Sequence, residues 1–533
     1  MGPTENTVCT VGIKNDDQSE AIRFLQDGAG RGAPAQRIDT HGAMIFLIGQ
    51  EALKIKRAVK YDYMDLSTVE KRHAMLEREF ELNRGTAPSI YKSVLPLVRA
   101  PDGTVTMGGS GDILEWILCM NRFPQEAELT QIAQDRGIGD DLAQALGTAV
   151  ADYHETTPVK RLNAYSLIGE ILDELDRVFA AMNMALGGDP EAFIAQSRQI
   201  WADRANDLAQ RSREGHVRRC HGDLHLRNIV MIDGVPTPFD ALEFDERLGT
   251  CDTLYDLAFL LMDLDHLGMT HAANLVLNAY LARRSLDLSE SGLSLLPLYL
   301  SLRAAIRAMV EVQTSAVASL GNDNKRDARA YLTQALAYLE PTAPTLVAIG
   351  GYSGTGKTTI ARAISHQIGN SPGAIHIRSD VLRKRLLHRD PLDRLGNEGY
   401  TPGITDRTYD AIRRQARQVL DQGHSAILDA VHGDPEARHA AEAVAKASGC
   451  DFIGIWLESS TQTRLSRVTS RKPDASDADA AVVNKQAVAD PGPINWHRVD
   501  TDQPMDAVID VVSAILKSKT AAETGIRGGK HVG

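Results

Sequence analysis

Leu346-Val347-Ala348-Ile349-Gly350-Gly351-Tyr352-Ser353-Gly354-Thr355-Gly356-Lys357-Thr358-Thr359 is the stretch that decides the reading of this 533-residue chain. Its first residues form an apolar run with β-branched members, which predicts a strand; a glycine-rich loop follows. Gly351, Gly356, Lys357 and Thr358 fit G-x-x-x-x-G-K-[ST], the P-loop pattern. Glycine lets a backbone turn tightly and approach an anion with no Cβ in the way. Gly351, Tyr352, Ser353, Gly354, Thr355, Gly356 and Thr359 are therefore candidates to line the phosphates of ATP, with the following helix N-terminus adding donors and a positive dipole end. Lys357 is assigned to the β- and γ-phosphates, and the Thr358 hydroxyl to Mg²⁺.

Working outward, the proline-bearing stretch 341–344 just upstream predicts a domain boundary, with 341–345 as the linker. Downstream, predicted strands at 346–350, 375–377, 426–429 and 452–457 alternate with helices. That alternation predicts an α/β domain over 346–518 with a parallel sheet covered on both faces. The glycine-rich tail within 519–533 is expected to be disordered.

The chain is too long for one core. Its 43% hydrophobic and 24% charged residues are those of a globular protein. Five scattered cysteines with no C-x-x-C pair argue against a disulfide framework or a cysteine-rich zinc site, and for a reducing, cytoplasmic setting. No uninterrupted apolar run reaches membrane-spanning length, and no basic-then-apolar leader pattern is read at the N-terminus, so no membrane partner is expected. Charge is uneven: residues 1–340 carry 34 Lys+Arg against 48 Asp+Glu, and residues 341–533 carry 24 against 22. An acidic N-terminal part does not suit a nucleic-acid footprint.

Residues 1–34 read as a polar, partly irregular extension. Segments 43–48 and 52–56 predict two strands across a Gly49-Gln50 turn. Segment 66–83 predicts a helix with Ser67 as a candidate N-cap; 94–98 and 113–118 predict further strands. Residues 126–154, 164–186, 190–212, 254–284 and 292–338 carry helical periodicity around a strand-and-loop patch at 215–248.

That patch holds His221-Gly222-Asp223-Leu224-His225-Leu226-Arg227-Asn228 and then Pro238-Phe239-Asp240. An Asp, an Asn five residues on and a second Asp after a hairpin-sized gap suit phosphoryl transfer: a base for the attacking hydroxyl and two ligands for Mg²⁺. With FDALEF (239–244) and Asp256-Leu257-Ala258, these residues resemble the aminoglycoside phosphotransferase branch of the protein-kinase-like fold. The resemblance implies an α+β, protein-kinase-like two-lobed domain over 35–340. It makes Asp223 the catalytic base, Asn228 and Asp240 metal ligands, and Asp256 a brace. Lys54 would contact the α/β-phosphates, with Lys56 as the alternative, and Glu79 would pair with it, with Glu70 and Glu77 as alternatives. Glu115 and Ile117, in segment 115–118, would form the hinge that holds adenine. Two departures stand out. Gly222 occupies the position where many protein kinases have Arg, and His41-Gly42-Ala43 offers one glycine where a kinase loop has three.

In the C-terminal part, Asp380 ends a predicted strand and Arg383 follows on a helix. A carboxylate there can take a proton from a hydroxyl, and a guanidinium can hold a substrate anion. Asp429 ends another apolar strand and is a candidate Mg²⁺ ligand. Arg464, Arg467 and Arg471 share one face of a predicted helix, before the polar loop 472–477. GYSGTGKTT, RSDVLRKRL, LDA and R-x-x-R-x-x-x-R-K-P-D-A-S-D resemble the P-loop predicted-kinase family that includes gluconate kinases, polynucleotide kinase domains and zeta toxins. The resemblance gives Arg467 and Arg471 the role of lid arginines that neutralise charge on the moving phosphoryl group.

The sequence thus predicts two ATP- and Mg²⁺-dependent sites that phosphorylate small-molecule hydroxyls, as in bifunctional aminoglycoside phosphotransferase/ATP-binding proteins. Relatives of these folds act on sugars, choline-like alcohols and amino-acid-derived metabolites. Two alternatives stand beside it. In one, an inactive kinase-like module regulates the P-loop kinase. In the other, the chain is a nucleic-acid end kinase or a nucleotide-driven binding module. Oligomeric state is not legible.

Overall fold

A computed structural model describes residues 17–61, 64–186, 188–284, 288, 292–318, 322–470 and 474–527. The chain divides into two compact units that do not follow chain order. One comprises residues up to 164 with 212–263; the other comprises 165–211 with 264 onward. The proline stretch 341–344 therefore lies inside the second unit.

The first unit is built on a six-stranded antiparallel sheet. Its spatial order is Gln36–Asp39, Ala43–Ile48, Glu51–Lys56, Asp112–Asn121, Tyr91–Arg99, Val105–Met107. Both expected early strands form across the Gly49-Gln50 turn, since β-branched and aromatic residues alternate between two buried faces. One face packs Leu53, Ile55, Phe46, Leu97 and Ile117 against the helix Ser19–Gln26. That helix lies in the stretch expected to be irregular. Its apolar set is short, with Ala21 and Leu25 as its buried members. The other face takes the helix Val69–Asn83, capped not by Ser67 but by Thr68, whose hydroxyl accepts from the Lys71 amide.

Arg72 on this helix and Glu115 on the strand Asp112–Asn121 are both fully buried and pair at 2.8 Å. Gln18 also donates to Glu115, at 2.6 Å. Removing one partner of such a pair strands a charge in low dielectric. Arg72→Met is expected to lower the unfolding free energy of this unit by about 3–5 kcal/mol, and Arg72→Met/Glu115→Leu to recover most of it. Urea titration of the three proteins checks both values.

The second unit centres on a five-stranded sheet in the order Ile375–Arg378, Ala426–Asp429, Thr345–Gly351, Asp451–Glu458, His497–Asp500, every pair parallel. The four expected strands are present. The fifth, His497–Asp500, escaped sequence reading because a single residue, Val499, is buried in an otherwise polar edge strand. Val347, Ile349, Ile427, Ile455 and Leu457 pack with Ile360 and Ile364 of the P-loop helix Lys357–Ile364 and with Val508 and Val512 of the final helix. The final helix, Met505–Arg527, runs past the boundary expected at 518; residues 528–533 lie outside the described ones. Helices from 165–211 and 264–339 belong to the same unit. One of them, across Leu293–Gln313, is long and apolar enough to cross a membrane by length and composition, yet 67% of its most apolar window is buried within the protein.

Candidate active sites

In the first unit, the strand Glu51–Lys56 carries Lys54 and Lys56 two residues apart, hence on one face. Lys54 Nζ lies 2.7 Å from Glu79 and 2.9 Å from Asp240. Lys56 Nζ lies 2.7 Å from the other Glu79 oxygen and 2.5 Å from Glu243. Of the three acids weighed for the helix, Glu79 is the one that faces the lysines; it is fully buried. Burial pulls the Lys54 ammonium down, but the Asp240 and Glu79 carboxylates outweigh it and hold it well above its usual range. Burial pushes Glu79 up against the pull of both lysines. Burial also opposes ionisation of Asp240, and the Lys54 charge overcomes it and holds that carboxyl low. Lys54 is the lysine bonded to Asp240, which separates it from Lys56. Glu243 was missed; it lies three residues after Asp240 in the non-helical FDALEF loop, where no period marks it.

Asp223 and Asn228 meet directly: the Asn228 amide nitrogen donates to the Asp223 carbonyl and to its carboxylate, each at 2.9 Å. Asp240 holds a left-handed φ of 61°, a conformation that aspartate tolerates better than most residues. Asp256, fully buried, accepts from the His221 amide at 3.1 Å, the Gly222 amide at 2.8 Å and the His154 ring at 3.1 Å. It holds the loop that presents Asp223. The His154–Cys220–Asp256 cluster has metal-type donors, but these bonds already occupy the carboxylate. Gly222 has φ +84°, and a Cβ there would press on Leu242 and Gly249, which is why arginine has no place at this position.

The expected hinge does not sit at a strand exit. Glu115 and Ile117 are interior to the strand Asp112–Asn121, opposite Leu97 and Leu95, and the Glu115 carboxylate is spent on Arg72 and Gln18. The apolar run that suggested a short strand ending at 118 continues through Met120, so the strand leaves the sheet at Asn121.

In the second unit, the P-loop joins the strand Thr345–Gly351 to the helix Lys357–Ile364. Gly351 and Gly354 take φ +142° and +86°; a Cβ on Gly354 would lie 2.7 Å from the Arg464 carbonyl. The Gly351 amide bonds the Val431 carbonyl, and the Thr355 hydroxyl bonds the Tyr352 carbonyl at 2.8 Å. Lys357 folds back to the Tyr352 carbonyl at 3.2 Å. The Ser353 amide donates to Gln486 on the helix Ala480–Ala487. Thr359 lies in the first turn of the P-loop helix.

Thr358 Oγ1 lies 2.6 Å from Asp429 Oδ2, and His376 Nε2 lies 3.1 Å from the same oxygen. Burial works against the Asp429 charge, yet the His376 hydrogen bond and nearby cations hold it well below the usual range. Asp380 behaves oppositely: burial, then the Asp429 charge, push its carboxyl up. His376 was missed; its signal was alternation, which turns it toward Asp429 one strand away.

Arg383 is buried. It donates to the Gly399 carbonyl at 2.9 Å and lies over the Tyr400 ring, bracing that loop. Arg467 donates to the Thr501 carbonyl at 2.6 Å and approaches the Gly354 carbonyl at 3.5 Å, so its helix packs against the phosphate loop instead of projecting an open basic face. Arg471 lies outside the described residues. Asp474 pairs with Arg378 at 2.5 Å and Asp477 with Lys384 at 3.0 Å, which ties the polar loop to the helix bearing Asp380.

His424 and His432 flank the Asp429 strand and are fully buried; among the described residues His424 Nε2 finds no hydrogen-bond partner. Burial drives them down to about 4 and about 3. Both stay neutral in the folded protein while the unfolded chain takes up protons below about pH 6.5. Stability should therefore fall as pH drops from about 6.5 toward 4, by about 1.4 kcal/mol per pH unit per histidine. Denaturant titrations at several pH values should show that slope, reduced by one group's share in His424→Asn.

Residues 346–489 match the family profile described as an AAA domain. The chain is 29% identical over 497 residues to uncharacterised proteins of Mycobacterium tuberculosis and Mycobacterium bovis, covering 90% of this chain and 95% of theirs. Among solved structures it is similar to a choline/ethanolamine kinase family protein of Mesorhizobium loti (TM-score 0.36, 13% identity, 61% of this chain and 95% of that one). It is also similar to a gluconokinase of Sinorhizobium meliloti (TM-score 0.25, 19% identity, 34% and 97%). Residues 346–489, which match the AAA-domain profile, hold the P-loop and four of the five strands of the parallel sheet.

Proposed function

We propose that the chain is an ATP- and Mg²⁺-dependent phosphotransferase with two nucleotide sites, each phosphorylating a hydroxyl group of a small molecule. The observation that carries the reading is the Lys54 ammonium held between Glu79 and Asp240, beside the joined Asp223–Asn228 pair. In phosphoryl transfer the protein's work is positioning and charge stabilisation. Lys54 orients the nucleotide phosphates, and Glu79 fixes Lys54. Asp223 accepts the proton of the attacking hydroxyl. The Asn228 amide nitrogen is spent on Asp223, so its oxygen, with Asp240, is available to a cation.

In the second unit the P-loop amides and Lys357 cradle the phosphates, and Asp380, its carboxyl pushed up by burial and by the Asp429 charge, takes the acceptor's proton. Arg383 braces the acceptor loop and offers its guanidinium to an acceptor anion. Arg467, with Arg471 beyond it, stabilises phosphoryl charge once nucleotide draws it from Thr501. Thr358 and Asp429 converge at 2.6 Å beside a second buried carboxyl, an oxygen donor set that fits a hard divalent cation. Mg²⁺ bound there and at Asp240 would neutralise charge on the phosphates.

ADP release measured against a panel of sugars, amino alcohols and aminoglycosides tests the proposal. Stimulation by at least one compound is expected. Nucleotide binding with no stimulation by any hydroxyl compound would contradict it.

A further inference from the structure

The strand Ile375–Arg378 is an edge of the parallel sheet, so one side of its backbone lacks a neighbouring strand. Such an edge needs a cover. In this protein a helix side chain supplies it. On the helix Thr270–Arg284, Asn274 and Asn278 lie four residues apart, on one face. Asn278 Oδ1 accepts from the His376 amide at 2.8 Å, and its Nδ2 donates to the Ala374 carbonyl at 3.3 Å. It thus supplies the donor and acceptor of a missing strand. Fully buried Asn274 donates to the same carbonyl at 3.1 Å and accepts from Ser365 at 2.6 Å, just after the P-loop helix. Asn278 Nδ2 also bonds Asn274, which locks the two amides together.

The backbone that Asn278 grips belongs to His376, whose ring bonds Asp429 Oδ2, the oxygen that Thr358 also meets. The chain Asn278–His376–Asp429–Thr358 therefore runs unbroken from a helix outside the AAA-family segment to the phosphate loop. Turning the His376 backbone would swing its ring off the carboxylate. We propose that Asn278 is a positioning residue for Asp429, so that Mg²⁺-dependent nucleotide binding at the P-loop requires the helix Thr270–Arg284. This rests on the reading of Asp429 as a Mg²⁺ ligand.

The test uses the full chain and calorimetric binding of a non-hydrolysable ATP analogue with and without Mg²⁺. The P-loop component is the part lost in Lys357→Ala. Outer-sphere partners of metal ligands typically contribute 10- to 100-fold; one step further out, Asn278→Ala should weaken the Mg²⁺-dependent component by about 3- to 10-fold. Metal-free binding should be unchanged. Asn274→Ala removes one partner of Asn278 Nδ2 but leaves Asn278 Oδ1 on the His376 amide, so it should lower the thermal midpoint and weaken the Mg²⁺-dependent component less than Asn278→Ala does. On a His376→Ala background, Asn278→Ala should add nothing, since both act along one path. The proposal is overturned if Asn278→Ala and Asn274→Ala lower the midpoint alike and both keep wild-type Mg²⁺ dependence. A wild-type protein with a Lys357-dependent component that ignores Mg²⁺ would overturn the Asp429 reading as well.

Discussion

Asp223→Ala is expected to lower turnover at the first site by about 10²- to 10⁴-fold, the contribution of a positioned general base. Nucleotide affinity should change little, because the groups placed to hold phosphates and cation are Lys54, Asn228 and Asp240. The local structure supports a clean result. The loop is held from behind by Asp256, through the His221 and Gly222 amides and the His154 ring, and those bonds do not involve the Asp223 side chain. The Asn228 bond to the Asp223 main-chain carbonyl also survives the substitution. Steady-state kinetics with the stimulating acceptor measure the loss. A fall in kcat at constant KM for ATP supports the base assignment. An equal fall in ATP binding would point to loop collapse instead.

Lys357→Ala should lower the second activity by about 10²- to 10³-fold, the contribution of one preorganised donor to phosphoryl charge. In the structure this ammonium rests on the Tyr352 carbonyl, a neutral partner that it can leave when phosphate arrives. Its charge also acts on the buried Asp429 and Asp380 carboxylates, so a thermal midpoint measured alongside separates a defect in nucleotide chemistry from a loss of fold. Acceptor specificity separates the sites. Whatever compound loses its stimulation in Lys357→Ala should keep it in Asp223→Ala, and the reverse.

The parallel sheet and its phosphate loop were legible because motif, strand and helix signals coincide at 346–359, and local glycine chemistry dictates the rest. The Lys54–Glu79 choice needed the fold: sequence spacing offered two lysines and three acids, and only packing turns Glu79 inward. The hinge was misread at 115–118 because an apolar run does not reveal where a strand leaves its sheet, nor that Glu115 would bury its charge on Arg72. Glu243 and His376 were invisible for a related reason. Each acts on a residue far away in sequence: Glu243 sits in a loop with no period, and the alternation that turns His376 to one face of its strand does not name Asp429 as the partner. The helix Ser19–Gln26 hid in a polar stretch, since two buried positions are too few to set a period.

Stoichiometry of nucleotide binding tests the two-site account most directly. Equilibrium binding of a non-hydrolysable ATP analogue in Mg²⁺ should give two equivalents per chain. It should fall to one in Lys357→Ala and to the other one in Lys54→Ala, with none in the double variant. One equivalent in the wild-type chain, lost in Lys357→Ala and untouched by Lys54→Ala, would contradict the account and favour the alternative in which the first unit regulates a single P-loop site.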